Sequence, residues 1–299
     1  HGGWIGRLVN FLRHAARGNS RSGARRNILA HYDLGNGFFE AWLDPSMTYS
    51  SARFDRGARD LAQGQLHKYR AIADALELSP QRRVLEIGCG WGGFAEAAAR
   101  DYGAQVTGIT LSDAQFEYAS ARMQRQGLGD RAEILRIDYR DMKGQFDAIV
   151  SIEMFEAVGE KYWPAYFAKV RELLKPGGRA LLQIITIRDD LFAAYRRHAD
   201  FIQHHIFPGG MLPSLEQLRA RVSEAGLSWR GYEAFGQSYA QTLAEWARRF
   251  SAKWDEIKRQ GFDERFKRLW LFYLGYCEAG FRTGRTDVIQ LELARPASG

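Results

Sequence analysis

Val84-Leu85-Glu86-Ile87-Gly88-Cys89-Gly90-Trp91-Gly92-Gly93 decides how the rest of the chain is read. The apolar run Val84 to Ile87 reads as a buried strand that gives way to glycines. Phe94-Ala95-Glu96-Ala97-Ala98-Ala99 reads as the helix that follows. A strand feeding a glycine turn feeding a helix brings backbone N–H groups close to a ligand, because glycine has no Cβ to block the approach. The helix N-terminus adds a favourable field for negative charge. Such a turn binds a nucleotide-like cofactor.

Outward from this turn, composition bounds the molecule. The 299 residues are 45% hydrophobic and 26% charged, a globular composition rather than a disordered one. No apolar run approaches the roughly 20 residues needed to span a bilayer, and no signal peptide is expected. Cys89 and Cys277 are the only cysteines, which excludes a disulfide scaffold and fits a reducing, cytoplasmic compartment. The net charge of +7 points to nucleic acid or an anionic membrane as a polyanionic partner. Residues 1–23 are expected to form a basic amphipathic helix and linker. Arg7, Arg13 and Arg17 accompany Trp4, Ile5, Leu8, Phe11 and Leu12 at helical spacing, and Gly18 to Gly23 reads as the linker. This helix suits either a lipid interface or the protein's own core.

Residues 24–299 read as one α/β domain. A helix is expected from Ala58 to Leu76, and strands at Gln105–Ile109, Ala132–Ile137, Phe146–Ile152 and Arg179–Thr186. Helices are expected at Ser112–Gln126, with Ser112 as N-cap, and at Trp163–Leu174, stopped by Lys175-Pro176-Gly177-Gly178. This alternation predicts a mainly parallel, Rossmann-like seven-stranded sheet with helices on both faces. Late strands are expected at Leu227–Phe235 and Asp287–Leu293. An insertion at about 188–214 is expected to cover the substrate. Ligands of such sheets lie beyond the strands' carboxyl ends, so the glycine turn, Thr110, Asp138 and Glu156 should converge on one cleft.

The turn itself fits two cofactors. Gly88, Gly90 and Gly93 satisfy the dinucleotide spacing G-x-G-x-x-G, whereas Glu86, Gly88, Gly90 and Gly92 give the E-x-G-x-G-x-G usual in S-adenosylmethionine-dependent methyltransferases. Gly108-Ile109-Thr110-Leu111-Ser112 ends the second strand without the acid that a dinucleotide enzyme offers the ribose. Thr110 and Gln115 could bond ribose hydroxyls instead, and Asp138-Tyr139 offers adenine an acceptor and an aromatic face. Alternatively, Thr110 caps a helix and Asp138 holds a turn. Together they favour S-adenosylmethionine. Glu153 and Glu156 would share a face if a helix began there, or would simply be acids in a first helical turn.

Several further segments carry a resemblance. His31-Tyr32-Asp33-Leu34-Gly35-Asn36, Met47-Thr48-Tyr49-Ser50, Met154-Phe155-Glu156, Ile206-Phe207-Pro208-Gly209-Gly210, Phe235-Gly236, Tyr239 and Cys277 to Arg282 occur in consistent order. With the glycine turn, they resemble the cyclopropane-fatty-acyl-phospholipid synthases, including the mycolic acid cyclopropane synthases. The resemblance implies methyl transfer from S-adenosylmethionine to the double bond of an unsaturated phospholipid acyl chain, followed by proton loss and ring closure. It implies a bound bicarbonate as base, with Glu156, Tyr239 and the Ile185 backbone among its holders. Cofactor contacts are implied at Tyr49, Ser50, Glu86, Gly88, Cys89, Gly90, Gly92, Thr110, Leu111, Gln115, Asp138 and Tyr139. Cys277 matches a cysteine sometimes placed in the active site, although the chemistry needs no thiolate. No metal is implied. Peripheral contact with the inner face of an anionic membrane, a homodimer and no nucleic-acid partner are the further expectations.

The departures matter as much. Ser51 stands where the family usually has cysteine, Ala157 where histidine follows the glutamate, and Gln183 where the bicarbonate-binding histidine is expected. Ser and Gln can donate hydrogen bonds to an anion, but Gln cannot carry the proton. An altered base leaves a methyl- or methylene-branched product as the alternative. A nucleic-acid methyltransferase would need a catalytic cysteine or a polar amino-binding motif near the cleft. A binding protein with a decayed site would not need Glu156 and Tyr239.

Overall fold

The computed structural model describes residues 34–198, 200–207 and 209–297. The basic segment 1–23, His31-Tyr32-Asp33 and Pro208 lie outside the described residues. Helices α1 (Asn36–Glu40) and α2 (Leu61–Ala75) precede β1 (Arg83–Ile87), which runs through the glycine turn into α3 (Gly93–Asp101). Next come β2 (Gln105–Thr110), α4 (Asp113–Arg125), β3 (Ala132–Arg136) and β4 (Phe146–Ile152). Two short 3-10 turns lead into α5 (Trp163–Leu173) and β5 (Leu174–Ile187). The insertion supplies α6 (Asp189–Arg197) and α7 (Phe201–His205), followed by α8 (Leu215–Glu224) and β6 (Ser228–Ala234). Helices α9 (Gly236–Ala252), α10 (Trp254–Arg259) and α11 (Glu264–Arg282) separate β6 from β7 (Thr286–Ala294).

The seven strands lie in the order β3-β2-β1-β4-β5-β7-β6. The five early strands are parallel, and β7 runs antiparallel to both β5 and β6. Strand order reverses between β1 and β4, so the turn after β1 opens at the point where such sheets bind ligands. β1 is central because both faces are apolar: Leu85 and Ile87 enter one core with Phe155, Tyr166 and Phe167, while Val84 enters the other with Ile72, Phe94 and Val106. A third, aromatic cluster joins Phe38, Phe39 and Trp42 to Trp246, Phe250 and Trp270.

Local signals set most boundaries. Asp60 caps α2 by accepting from the Gln63 N–H at 2.8 Å, and the Ser112 hydroxyl accepts from the Gln115 N–H at 3.3 Å. The boundary that differs most from the sequence expectation is the start of β5. Lys175 to Gly178 do not merely stop α5: β5 begins at Leu174, opposite Phe146, and the register then jumps so that Ala148 faces Arg179. The extra residues bulge out of the ladder, and Gly178 sits where a Cβ would meet the Lys175 carbonyl at 2.9 Å.

Candidate active site

Two cavities meet beyond the carboxyl ends of β1 and β4, and Tyr49, Glu153 and Ala157 line both. The first is a cleft over the glycine turn. Gly88 holds φ +82°, and a Cβ there would meet the Met154 side chain at 2.7 Å; at Gly93 it would meet the Tyr69 hydroxyl at 2.5 Å. The Trp91 indole N–H donates to the Asn36 carboxamide at 2.8 Å, which ties the turn to α1. Glu86 is buried, and its Oε2 has no hydrogen-bond partner among the described residues. Burial raises its pKa well above the ordinary range, partly offset by the Ala95 N–H, Lys68 and Arg122. A buried acceptor beside a turn that admits no Cβ fits a ligand bearing hydroxyl or amine donors. S-adenosylmethionine, with its ribose and amino-acid ends, is such a ligand.

Most residues expected to touch that cofactor lie on the cleft: Tyr49, Ser50, Glu86, Gly88, Cys89, Gly90, Thr110, Leu111, Gln115 and Tyr139. The Thr110 hydroxyl donates to the Gln115 carboxamide oxygen at 2.8 Å, so the two polar tips are held together. Ser50 accepts from the buried Lys68 ammonium at 2.6 Å, and burial lowers the Lys68 pKa to about 7. Two expected residues lie off the lining. Gly92 precedes α3 and faces Ala119 and Met123. Asp138 turns its carboxylate onto Arg140, with Oδ2 2.5 Å from the guanidinium, as a residue holding a turn would.

The second cavity, of about 600 Å³, is mainly apolar. Ile185 and Ile187 come from β5, and Ile202, Phe207, Met211 and Leu212 come from the insertion, which thus forms one wall of this cavity. The opposite wall comes from α9 and α11, through Leu243, Tyr273, Cys277 and Phe281. The resemblance brings Tyr239 and Cys277 of these helices to the site; Leu243 and Tyr273 escape sequence reading, because apolar and aromatic residues look the same whether they face a core or a cavity. Tyr49 and Tyr273 pair their hydroxyls at 2.8 Å, and Tyr239 stacks on Phe281 with centroids 4.4 Å apart. Burial pushes the Cys277 thiol up to about 12, so it is no thiolate at neutral pH.

The two carboxylates depart from their expected arrangement. Glu153 adopts φ +50°, so no helical face carries both it and Glu156, which sits in the 3-10 turn Phe155–Ala157. Glu153 Oε1 accepts from the Ser51 backbone N–H at 2.8 Å and from Gln183 Nε2 at 2.7 Å. Its Oε2 accepts from the Tyr239 hydroxyl at 2.6 Å. Glu156 Oε1 accepts from the Ile185 N–H at 2.5 Å, and its Oε2 has no partner among the described residues. Burial raises its pKa to about 8, and the Glu153 charge adds to the rise. Ser51, Gln183 and Tyr239 do converge on an anion, but it is the Glu153 carboxylate. Glu156 stands apart with the Ile185 N–H. Bicarbonate does not fit this arrangement, because the donors expected to hold it already bond a side chain. The missed residue, Glu153, was visible in sequence only as a second acid three positions before Glu156.

Comparison with known proteins places this geometry. Residues 19–291 match the family described as mycolic acid cyclopropane synthetase. A tuberculostearic acid methyltransferase from Mycobacterium tuberculosis is 42% identical, over 98% of this chain and 70% of the relative. The cyclopropane-fatty-acyl-phospholipid synthase of Escherichia coli K12 is also 42% identical, over 89% of this chain; the match spans 66% of that enzyme, about two thirds of its length. A crystal structure of a mycolic acid cyclopropane synthase complexed with SAH and CTAB superposes with a TM-score of 0.85 at 30% identity, covering 90% of this chain and 98% of that one.

Proposed function

The chain belongs to the mycolic acid cyclopropane synthetase family, a family of S-adenosylmethionine-dependent enzymes of fatty acyl chains, and on that premise we propose its reaction. It transfers a methyl(ene) group to the double bond of an unsaturated fatty acyl chain of a phospholipid, giving a cyclopropane. One observation carries this reading: a glycine-built cleft with polar groups at Glu86, Thr110 and Gln115 opens onto a mainly apolar cavity of about 600 Å³ at Tyr49, Glu153 and Ala157. That volume lies within the roughly 300–1,000 Å³ of ligand cavities, and its walls suit an alkyl chain.

S-adenosylmethionine, when bound, supplies an electrophilic methyl group. The glycine turn, Glu86, Thr110 and Gln115 bind and orient it. Ile185, Met211 and Leu243 exclude water from the double bond. The rings of Tyr49, Tyr239, Tyr273 and Phe281 line the cavity, and their π-electrons can stabilise the positive charge that develops on the chain. The chain would enter beside α11, where Phe272 (57% exposed) and Tyr276 (38%) meet Phe201 of α7. Tyr276 and Asp200 lie on the cavity lining, so this aromatic edge marks the mouth and is our candidate for peripheral contact with the cytoplasmic membrane surface. Among the described residues no helix is long and apolar enough to cross a membrane.

Incubation with methyl-labelled cofactor and unsaturated phospholipid vesicles tests the reading; label is expected in the acyl chains. Label in RNA with none in lipid would sink it. A methylene-branched product is the second reading, favoured by the 42% identity to a tuberculostearic acid methyltransferase across 98% of this chain. The two products are isomers of equal mass, so proton NMR is the measurement: cyclopropane ring protons are expected, and vinylidene protons would establish the branched chain.

A further inference from the structure

We propose that the Glu153 carboxylate is this enzyme's built-in proton acceptor and takes the place of a bound anion. The inference rests on the methyl-transfer reading above and specifies its base. Glu153 lines both cavities, so its position borders the path between methyl donor and double bond. Three directed donors, from Ser51, Gln183 and Tyr239, fix its two oxygens. Gln183 is itself oriented: its Oε1 accepts from Gln290 Nε2 at 3.1 Å, and Gln290 Oε1 accepts from the buried Arg53 guanidinium at 3.0 Å. That chain turns the Gln183 amide nitrogen towards Glu153, which makes Gln183 a positioning residue. A backbone held at φ +50° by a non-glycine residue is uncommon and persists where the surroundings over-determine it.

Two buried carboxyls whose charges repel do not both ionise easily, and their surroundings decide which one carries the charge. Burial raises both pKa values. Glu153 has three donors and the field of the buried Lys68 to hold its charge, whereas Glu156 has one donor, the Ile185 N–H, and is opposed by the Glu153 charge. Near neutral pH the negative charge therefore resides on Glu153.

The step balances. The alkene π pair forms the bond to the transferred methyl carbon while the sulfur–carbon bond breaks with its pair left on sulfur. The second alkene carbon becomes cationic. Glu153 takes one proton from the new methyl group, and the released C–H pair closes the ring onto the cationic carbon. The carboxyl then returns the proton to solvent, so alkene and sulfonium give cyclopropane, thioether and one proton. An acceptor built into the fold needs no external ion.

The test uses the whole chain with phospholipid vesicles and titration with ¹³C-bicarbonate followed by NMR. Wild-type turnover is expected to be the same in CO₂-free buffer and with added bicarbonate, with no saturable bicarbonate binding. Glu153→Gln keeps the size and the acceptor oxygen, and should lose on the order of 100-fold or more of kcat, as loss of a general base does, while cofactor affinity stays within about twofold. Glu153→Gly removes the carboxyl at a φ that glycine adopts freely. It should bind bicarbonate saturably and regain turnover when bicarbonate or formate is added. Saturable bicarbonate binding to the wild type overturns the proposal even if no lipid is methylated. So does wild-type turnover that rises with bicarbonate, or a Glu153→Gln variant with undiminished kcat. Failure to label any lipid, with bicarbonate still unbound, would remove the substrate reading alone.

Discussion

The cofactor cleft and the acyl cavity share Tyr49, Glu153 and Ala157 but are built in different ways. The cleft is largely a backbone construction: β1, its glycine turn and the end of β2 follow one another in the chain, and Gly88 and Gly93 serve by lacking a Cβ. The cavity is a side-chain construction from β5, the α6–α7 insertion, α9 and α11, elements that meet only once the sheet has formed. A site of the first kind has no room for added atoms at Gly88 and Gly93. One of the second kind can be tuned residue by residue, as Glu153 illustrates. The difference predicts that cofactor affinity and turnover respond to separate substitutions.

The largest expected effect is at the turn. Gly93→Val would push a Cβ against the Tyr69 hydroxyl and the Ser46 carbonyl. The shift this forces, at about 1–3 kcal/mol of strain or more, should weaken cofactor binding on the order of 100-fold by calorimetry. Retained affinity would break the backbone account of the cleft. Next comes the cavity: Tyr239→Phe removes one donor from Glu153. A hydrogen bond to a charged group contributes roughly 1.5–3 kcal/mol, so kcat should fall at least about tenfold while cofactor affinity holds. If affinity fell in proportion, the two regions would not be separable.

Glu156 sharpens the comparison through pH. Its folded pKa of about 8 lies above the ordinary 4.5, so the folded protein holds a proton that the unfolded chain has lost. Its contribution to stability is fully present below about 4.5 and is lost as pH rises through about 8. Glu156→Gln, neutral throughout, should gain in Tm relative to wild type between pH 5.5 and pH 8, by roughly 2–4 °C per kcal/mol. A pH-independent difference would refute the buried, protonated state. The smallest effect is expected at the cavity mouth. Phe272→Ser gives up about 1 kcal/mol of apolar burial in lipid, so vesicle binding in a flotation assay should drop about fivefold with cofactor affinity unchanged. Unaltered flotation would move the membrane contact elsewhere.

Much of this molecule is legible in its sequence because the signals are local. The strands at Val84, Gln105, Ala132 and Phe146, the Ser112 cap and the late strands at Leu227 and Asp287 follow from short apolar runs bounded by caps and turns. Tyr49, Ser50, Thr110, Gln115 and Tyr139 were placed at one cleft because each stands near a strand end or in a family-like segment. Of the two readings open for Asp138, the structure favours the turn-holding one: it lies beyond β3, and Arg140 two residues on takes its carboxylate. The Lys175 to Gly178 stretch looked like a stop signal and is a bulge, since only its partner Asp147 strand edge reveals that pairing continues across it.

Fold class thus comes from the sequence itself, through the period of apolar residues, and cofactor class from the glycine turn taken together with Thr110, Gln115, Tyr139 and the family-like segments. The identity of the anion came only from the tertiary structure. Ser51, Gln183 and Tyr239 lie 102, 30 and 86 residues from Glu153, and no local rule joins them. The spacing of Glu153 and Glu156 even suggested a shared helical face, which φ +50° at Glu153 abolishes. Which carboxylate receives the donors depends on one backbone torsion and on a loop, a strand and a helix that bring Ser51, Gln183 and Tyr239 to it, and those are set by the assembled fold rather than by the neighbouring residues.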